Sequence, residues 1–194
     1  MEKLKYEDLY SLEEYDRRRS EFRAQVMAHK RARQVQIGPH ARLYFEDRLT
    51  MQYQVQEMLR AERIFERAGV KEELDTYNPL IPDGNNWKAT FMIEYDNVPE
   101  RQANLAKMLG IENCVWVTVE GFPRIWAVAD EDLDRSTEEK TSAVHFLRFE
   151  LTQPMVDAVK VGTSVHMGIE HDAYDYKINP IGDDVRNSLA QDLT

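Results

Sequence analysis

Ionisable side chains alternate with apolar ones in the segment VHFLRFEL, residues 144–151. Successive side chains of a β-strand point to opposite faces, so Arg148 and Glu150 share one face and His145 lies on the apolar face. A buried charge is costly without a partner, and Glu94 in an earlier strand candidate could supply one. The pattern therefore predicts either a salt-bridge ladder on an exposed sheet face or a polar pocket that binds an anion at Arg148.

In the pocket hypothesis, Glu94 or Glu150 acts as an acid, a base or a ligand. The turn-rich stretch YNPLIPDGNNWKAT, residues 77–90, forms one wall. Its Pro-Asp-Gly signature and its apolar side chains indicate an ordered loop, which is either a structural corner or the lip of a site. The predicted ligand-binding residues are Trp87, Lys88, Glu94, His145, Arg148 and Glu150.

The histidines offer only weak candidates for a metal site. His166 and Glu170 share a strand face but lie about 13 Å apart at roughly 3.3 Å per residue, so they cannot both bind one ion. A metal site would need a residue from a neighbouring strand, and His145 and Glu150 are the candidates. No cofactor is predicted, and a bound metal ion stays open as an alternative.

Motifs of well-known cofactor and catalytic sites are absent, including the dinucleotide-binding, P-loop, zinc-protease, serine-hydrolase and EF-hand patterns. Cys114 is the only cysteine, which excludes an internal disulfide and a cysteine-based zinc or iron–sulfur site. Because Cys114 begins an apolar strand, we expect a buried and inert thiol. Whether the protein is an enzyme stays open at this stage.

The charge distribution limits the classes of partner. A net charge of −10 argues against nucleic acid and against an anionic membrane surface. Basic residues nevertheless gather in the segment 17–33. They form either a solvated helix face or a strip that docks on an acidic protein partner. The predicted partner-binding residues are Arg17, Arg18, Arg19 and Arg23.

The location of the protein follows from two further features. No apolar run approaches the roughly 20 residues that a membrane helix needs. The first residues, MEKLKYEDLYSLEEY, are too polar for a secretory signal. We therefore predict a cytoplasmic protein without a membrane partner, and a homo-oligomer stays open.

Hydrophobic periodicity predicts two long N-terminal helices, over residues 12–33 and 50–68. Ser11 begins the first helix with a capping box, and Gly69 is expected to end the second. Arg19 and Glu62 interrupt the apolar faces of these helices, so they either form an ion pair between the packed helices or lie at the surface.

The remainder of the chain reads twice as strand–helix–strand–strand, over residues 88–132 and 143–194. An internal duplication would explain this order, and the alternative is coincidence. We predict a single α+β domain over residues 1–194. Its helical N-terminal portion, residues 1–76, packs on a mostly antiparallel sheet that is built from the two units.

Three long stretches carry a resemblance to a known family: FEDRLTMQYQVQEMLRAERIF, YNPLIPDGNNWKATFMIEY and EEKTSAVHFLRFEL. They resemble an uncharacterised bacterial family, one of the domain-of-unknown-function families. Members are often encoded beside rubrerythrin-like di-iron proteins and cysteine-rich iron–sulfur oxidoreductases. The resemblance implies an accessory or binding protein that acts with an iron-dependent or electron-transfer partner in oxidative-stress metabolism. The alternative is an enzyme, or a protein that binds a small ligand or metal in a polar pocket between the two sheet units.

Overall fold

The computed structural model describes residues 1–129 and 140–194, and these residues form helices and strands in an α+β arrangement. The predicted fold class is thus confirmed. The helices are α1 (Leu12–Lys30), α2 (Arg48–Glu62), α3 (Arg67–Tyr77), α4 (Val98–Lys107), α5 (Gln153–Lys160) and α6 (Asp183–Ala190). The strands are β1 (Gln34–Ile37), β2 (Ala41–Phe45), β3 (Asn86–Ile93), β4 (Val115–Val119), β5 (Ile125–Trp126), β6 (Val144–Glu150), β7 (Val165–His171) and β8 (Tyr174–Ile178). No helix in the described ranges is long and apolar enough to cross a membrane.

The strands form two antiparallel sheets instead of the single sheet expected from the sequence. Sheet A has the order β1-β2-β3-β6, and sheet B has the order β5-β4-β7-β8. The predicted order of elements is present as β3-α4-β4-β5 and β6-α5-β7-β8. Each unit contributes its first strand to sheet A and its last two strands to sheet B. The internal duplication stays a prediction, and the end of the first unit at residue 132 lies outside the described residues.

The two sheets share one hydrophobic core. Their inner faces and helices α4, α5 and α6 belong to a single cluster of buried side chains, with Phe91, Val117 and Leu189 all inaccessible to solvent. The sheets also meet along both sides. Tyr174 on β8 donates a hydrogen bond to the carbonyl of Ile37 on β1 at 2.8 Å. Beyond β5, the backbone of residue 128 pairs with residue 148 of β6.

Helices α1, α2 and α3 lie on the outer face of sheet A. A second apolar cluster includes Met51 and Val55 of α2, Leu74 of α3 and the strand residue Phe146. A third cluster joins Phe22 of α1 to Tyr53 of α2. The expected packing of N-terminal helices on a sheet is therefore present.

The second predicted helix was wrong in its bounds. Helix α2 ends at Glu62 because Arg63 adopts a left-handed backbone conformation, with φ of 55°. The chain then turns, and Phe65, which was expected on the apolar face, is 72% exposed. Gly69 lies inside α3 and does not cap a helix. The residue that ends a helix in the left-handed conformation is most often glycine. Because Arg63 occupies this position, the sequence did not indicate that the helix ends there.

Arg19 pairs with Glu57 and not with Glu62. The Nε and Nη2 groups of Arg19 donate to the two carboxylate oxygens of Glu57 at 2.7 and 2.8 Å. Tyr15 donates to the same carboxylate, and these donors hold the pKa of Glu57 at about 2. Helices α1 and α2 run antiparallel, and their register places Arg19 opposite Glu57. Glu62 lies at the exposed end of α2.

A buried guanidinium joins the N-terminal part of the chain to its C-terminal helix. Arg33 follows α1, is 2% exposed, and donates to the carbonyls of Phe45 and Glu46 at 3.1 Å each. It also donates to the carboxylate of Asp192 at 2.5 Å and lies 3.4 Å from that of Asp47. One cation is thus shared by two acids.

The two acids respond differently to this environment. Burial raises the pKa of Asp192 to about 6, although Arg33 opposes the shift. For Asp47, Arg33 and the backbone N–H of Thr50 outweigh burial and lower the pKa below its ordinary value. Asp47 caps the N-terminus of α2, so its ionised form is the one that the helix favours.

The pKa of Asp192 predicts a particular pH dependence of stability. Its pKa in the folded protein lies above the ordinary value of 3.8. Protonation of Asp192 therefore favours folding at acidic pH, and this contribution is lost as the pH rises through about 6. We expect the free energy of unfolding of wild-type protein, relative to that of Asp192→Asn, to decrease between about pH 4.5 and about pH 7.

Urea denaturation at both pH values measures this difference, and subtraction cancels the groups that both proteins share. An increase in the difference with pH would contradict the assignment. It would mean that attraction to Arg33 outweighs the burial of Asp192.

Candidate ligand site

Two of the six predicted ligand-binding residues lie in the core between the sheets. Trp87 is fully buried on the inner face of sheet A and donates its Nε1–H to the carbonyl of Leu189 at 2.9 Å. His145 is 1% exposed on the same face, and its Nε2 lies 3.0 Å from the hydroxyl oxygen of Thr141. These contacts give both residues structural roles.

Three others lie on the opposite face of sheet A, the outer one. Lys88 is directly across from Arg148 in the register of β3 and β6. The Lys88 ammonium donates to the carbonyl of Pro79 and lies 3.3 Å from a carboxylate oxygen of Asp83. Arg148 donates to Glu150 two positions along its own strand. These ion pairs resemble the salt-bridge ladder, which was one of the two alternatives that the sequence predicted for this face.

Glu94 shares that face but lies six residues from Lys88, about 20 Å along the strand direction. It accepts a hydrogen bond from the Tyr44 hydroxyl at 2.9 Å and lies 3.4 Å from Arg42. The six residues therefore do not surround a common pocket. Trp87 and His145 lie on the inner face of sheet A, whereas the other four residues lie on its outer face. On that outer face, Glu94 is far from Arg148 along the strand direction.

The loop at residues 77–90 is ordered by contacts at both ends. Asn78 begins a short 3-10 turn, and its side-chain amide donates to the carbonyl of Leu4. Ile81 is fully buried, and strand β3 already begins at Asn86. The stretch is a packed corner that continues into β3, and its residues Tyr77, Leu80 and Thr90 line the cavity described below.

The weak metal candidates are also separated. His166 and Glu170 lie on the outer face of sheet B, and Glu170 is paired with Arg124. His145 lies within the core. Over residues 1–129 and 140–194, no three His, Cys, Asp or Glu side chains gather closely enough to hold a metal ion.

The cavity with the most distinctive chemistry lies between the N-terminal helices and the outer face of sheet A. We name it the helix–sheet cavity, and its volume is about 500 Å³. Drug-sized ligands occupy pockets of roughly 300 to 1,000 Å³. Its lining comprises Met27, Lys30, Tyr44, Glu46, Met51, Gln54, Tyr77, Leu80, Thr90, Met92 and Phe146.

Strand register builds the floor of this cavity. Tyr44, Thr90 and Phe146 are direct neighbours on β2, β3 and β6, so their side chains form one row across the sheet. Met92 belongs to the next row on one side. Glu46 lies on the other side, where its backbone N–H donates to the carbonyl of Lys88 at 2.8 Å and extends the pairing of β2 with β3.

Glu46 is the unusual member of the lining. Its side chain is 95% buried, since only 5% of the residue is exposed. Thr90 donates to Oε1 at 2.7 Å, whereas Oε2 is buried and accepts no hydrogen bond from any described residue. Lys88, its neighbour across the strands, directs its ammonium towards Pro79 and Asp83. A buried carboxylate oxygen without a hydrogen-bond donor destabilises the folded protein. A bound ligand that donates to Oε2 would remove this cost.

The sequence around Glu46 explains why it is held in place. Arg42, Tyr44 and Glu46 alternate with the buried residues Ala41, Leu43 and Phe45, so the polar set faces the helices. Asp47 then begins α2 with a capping box that includes Thr50. Arg33 fixes the Glu46 carbonyl from the opposite side. The backbone on both sides of the carboxylate is therefore rigid.

Two other surface depressions are chemically less distinctive. A cleft of about 390 Å³ on the outer face of sheet B holds Arg124, which lies 4.4 Å from the ring centre of Trp116 and pairs with Glu170. The Arg124 guanidinium therefore already has an ion-pair partner. A groove of about 360 Å³ near the start of α1 is lined mainly by apolar and tyrosine side chains, among them Leu9 and Phe65.

The predicted docking residues on α1 do not share one face. Arg18 pairs with Glu14 at 3.0 Å, and Arg19 is engaged by Glu57. Arg17 and Arg23 are exposed, but they lie about 120° apart around the helix at about 100° per residue. A partner that contacts both would have to cover a broad part of the helix.

Comparison with known proteins supports the fold and gives no activity. The family described as "Protein of unknown function (DUF3501)" matches residues 3–193. The chain belongs to this family. A crystal structure of a novel protein of unknown function from Burkholderia pseudomallei K96243 is 48% identical, with a TM-score of 0.95 and full coverage of both chains. No curated protein matches the sequence.

Proposed function

We propose that this DUF3501 protein is an accessory protein that binds a small organic molecule in the helix–sheet cavity. The observation that carries the proposal is the buried carboxylate of Glu46 at the edge of a cavity of ligand size. Elsewhere on the outer face of sheet A, the acids Glu94 and Glu150 have side-chain donors. Glu46 differs because one of its oxygens accepts nothing among the described residues.

The lining supports binding more readily than catalysis. Thioether side chains such as Met27, Met51 and Met92 adapt to ligands of varied shape, and the rings of Tyr44 and Phe146 offer flat apolar surface. The described lining holds no histidine, which is the commonest general base, and no cysteine. A cytoplasmic location is part of the proposal, and it agrees with the free thiol of Cys114.

Filling the cavity tests the proposal. The neutral dye N-phenyl-1-naphthylamine becomes fluorescent in apolar sites, and we expect saturable binding to the wild-type protein. Met92→Trp places a larger ring in the lining and should weaken dye binding about tenfold or more. Val161→Trp, at a position that is 84% exposed on the surface, is the matched control and should bind as wild type does.

Circular dichroism of each variant shows whether the fold is intact. The proposal fails if the wild-type protein does not bind the dye, or if both tryptophan variants bind it with unchanged affinity.

A second candidate function is docking on an iron-dependent or electron-transfer protein, as the family resemblance implies for oxidative-stress metabolism. Its structural support is the pair of exposed arginines, Arg17 and Arg23, which form no ion pair with the described residues. Exposed arginines steer acidic partners and set association rates.

Charge reversal tests the docking surface. We expect Arg17→Glu combined with Arg23→Glu to reduce the association rate with a purified rubrerythrin-like protein about tenfold at low salt. Surface plasmon resonance measures the rate. Lys107→Glu combined with Lys160→Glu, two exposed reversals on α4 and α5, changes the net charge by the same amount and is the control. Equal rates for both variants, or no complex with wild-type protein, would refute this interaction.

A further inference from the structure

We infer that the helix–sheet cavity selects an organic cation, with a protonated amine placed against Glu46 and an apolar or aromatic body among the methionine and ring side chains. This inference rests on the proposed function, because it names the ligand class of the same cavity. It goes further in assigning a charge to the ligand and a role to one residue.

The charge follows from the contacts of Glu46. A carboxylate presents only acceptors, and Oε1 already receives the Thr90 hydroxyl. The remaining oxygen is buried and has no donor among the described residues. No Lys, Arg or His side chain in those ranges comes within 4.0 Å of the Glu46 carboxylate. A ligand ammonium would supply both the missing hydrogen bond and the missing positive charge.

The nearby cations do not already meet this need. Arg33 contacts the Glu46 backbone carbonyl, and its remaining donors point to Asp192 and Ser188. The Lys88 ammonium lies against Asp83. Lys30 lines the cavity from α1 but is partly exposed, so its charge is partly screened by solvent.

The other lining residues indicate that the uncharged part of the ligand is apolar or aromatic. Tyr44 and Phe146 flank Thr90 on the floor, so aromatic side chains are part of the lining near the carboxylate. Aromatic faces attract cations in addition to apolar groups. Methionine residues from α1, α2 and β3 line the same space. An arylalkylamine has the matching distribution of charge and apolar surface.

A series of three probes of similar shape tests the charge. 2-Phenylethylamine is cationic at neutral pH, 2-phenylethanol is neutral, and 3-phenylpropionate is anionic. Each competes with N-phenyl-1-naphthylamine for the wild-type protein. We expect the amine to displace the dye at a concentration at least about tenfold lower than the alcohol, and the acid to be weakest, since a hydrogen bond between two charged groups is stronger than one with a neutral hydroxyl.

Glu46→Gln keeps the side-chain shape and removes the charge. In this variant the preference for amine over alcohol should fall about tenfold, while the affinity for the alcohol changes less than about twofold. Glu150→Gln is the matched control, because Glu150 shares the sheet face but does not line the cavity. It should keep the preference of the wild type.

The outcomes separate the two proposals. Dye binding without a preference for the amine in wild-type protein would overturn the cation assignment and leave the cavity as a ligand site. A preference that survives Glu46→Gln would place the amine elsewhere and also overturn it. Absence of dye binding to wild-type protein would remove the proposed function itself.

Discussion

The buried guanidinium of Arg33 is the constraint on which the arrangement of the N-terminal layer depends. It comes from the turn after α1, yet it binds the backbone at the end of β2 and the acid Asp192 beyond α6. A charge this deeply buried is tolerated only when its donors are satisfied, so these segments must stay together. Glu46 and Asp47 lie at the centre of this arrangement. Arg33 donates to the backbone carbonyl of Glu46 and lies 3.4 Å from the carboxylate of Asp47. The Glu46 side chain lines the cavity, whereas the Asp47 side chain caps α2.

The outer face of sheet A then divides into two regions. In one, Lys88, Arg148 and Glu150 form contacts that satisfy charge within the protein. In the other, Glu46 lines a cavity beneath α1 and α2 with one oxygen unsatisfied. The Lys88 side chain is only 5% exposed, so these contacts meet the needs of a buried charge and give this region a structural role. An unsatisfied buried acid has no such explanation, which is why we assign binding to the second region.

Local sequence patterns predicted the elements better than their assembly. The strands over residues 115–119 and 174–178 have the expected bounds, and Asn97 caps α4 where a capping residue precedes a proline. The second helix was wrong because a left-handed Arg63 ends it, and no glycine marks that position. Trp87 was assigned to a loop, but the turn residues end at Asn85 and the strand begins with the next residue.

The candidate site could not be predicted for a different reason. The polar face of β6 was predicted from its alternation, and the structure confirms that alternation in the burial of His145 and Leu147. Which residues meet on that face depends on sheet order. The chain places β2 beside β3, so Glu46 joins Thr90 from 44 residues away. The alternation of Arg42, Tyr44 and Glu46 was the only local signal, and alternation alone does not show that one oxygen stays unpaired.

A crystal structure of the protein with 2-phenylethylamine tests the central claim most directly. We expect the amine nitrogen within hydrogen-bond distance of Glu46 Oε2 and the phenyl ring near Tyr44 and Phe146. Density for the amine only in the cleft beside Arg124, or only in the apolar groove near Phe65, would contradict the account. An empty helix–sheet cavity at saturating amine would contradict it as well.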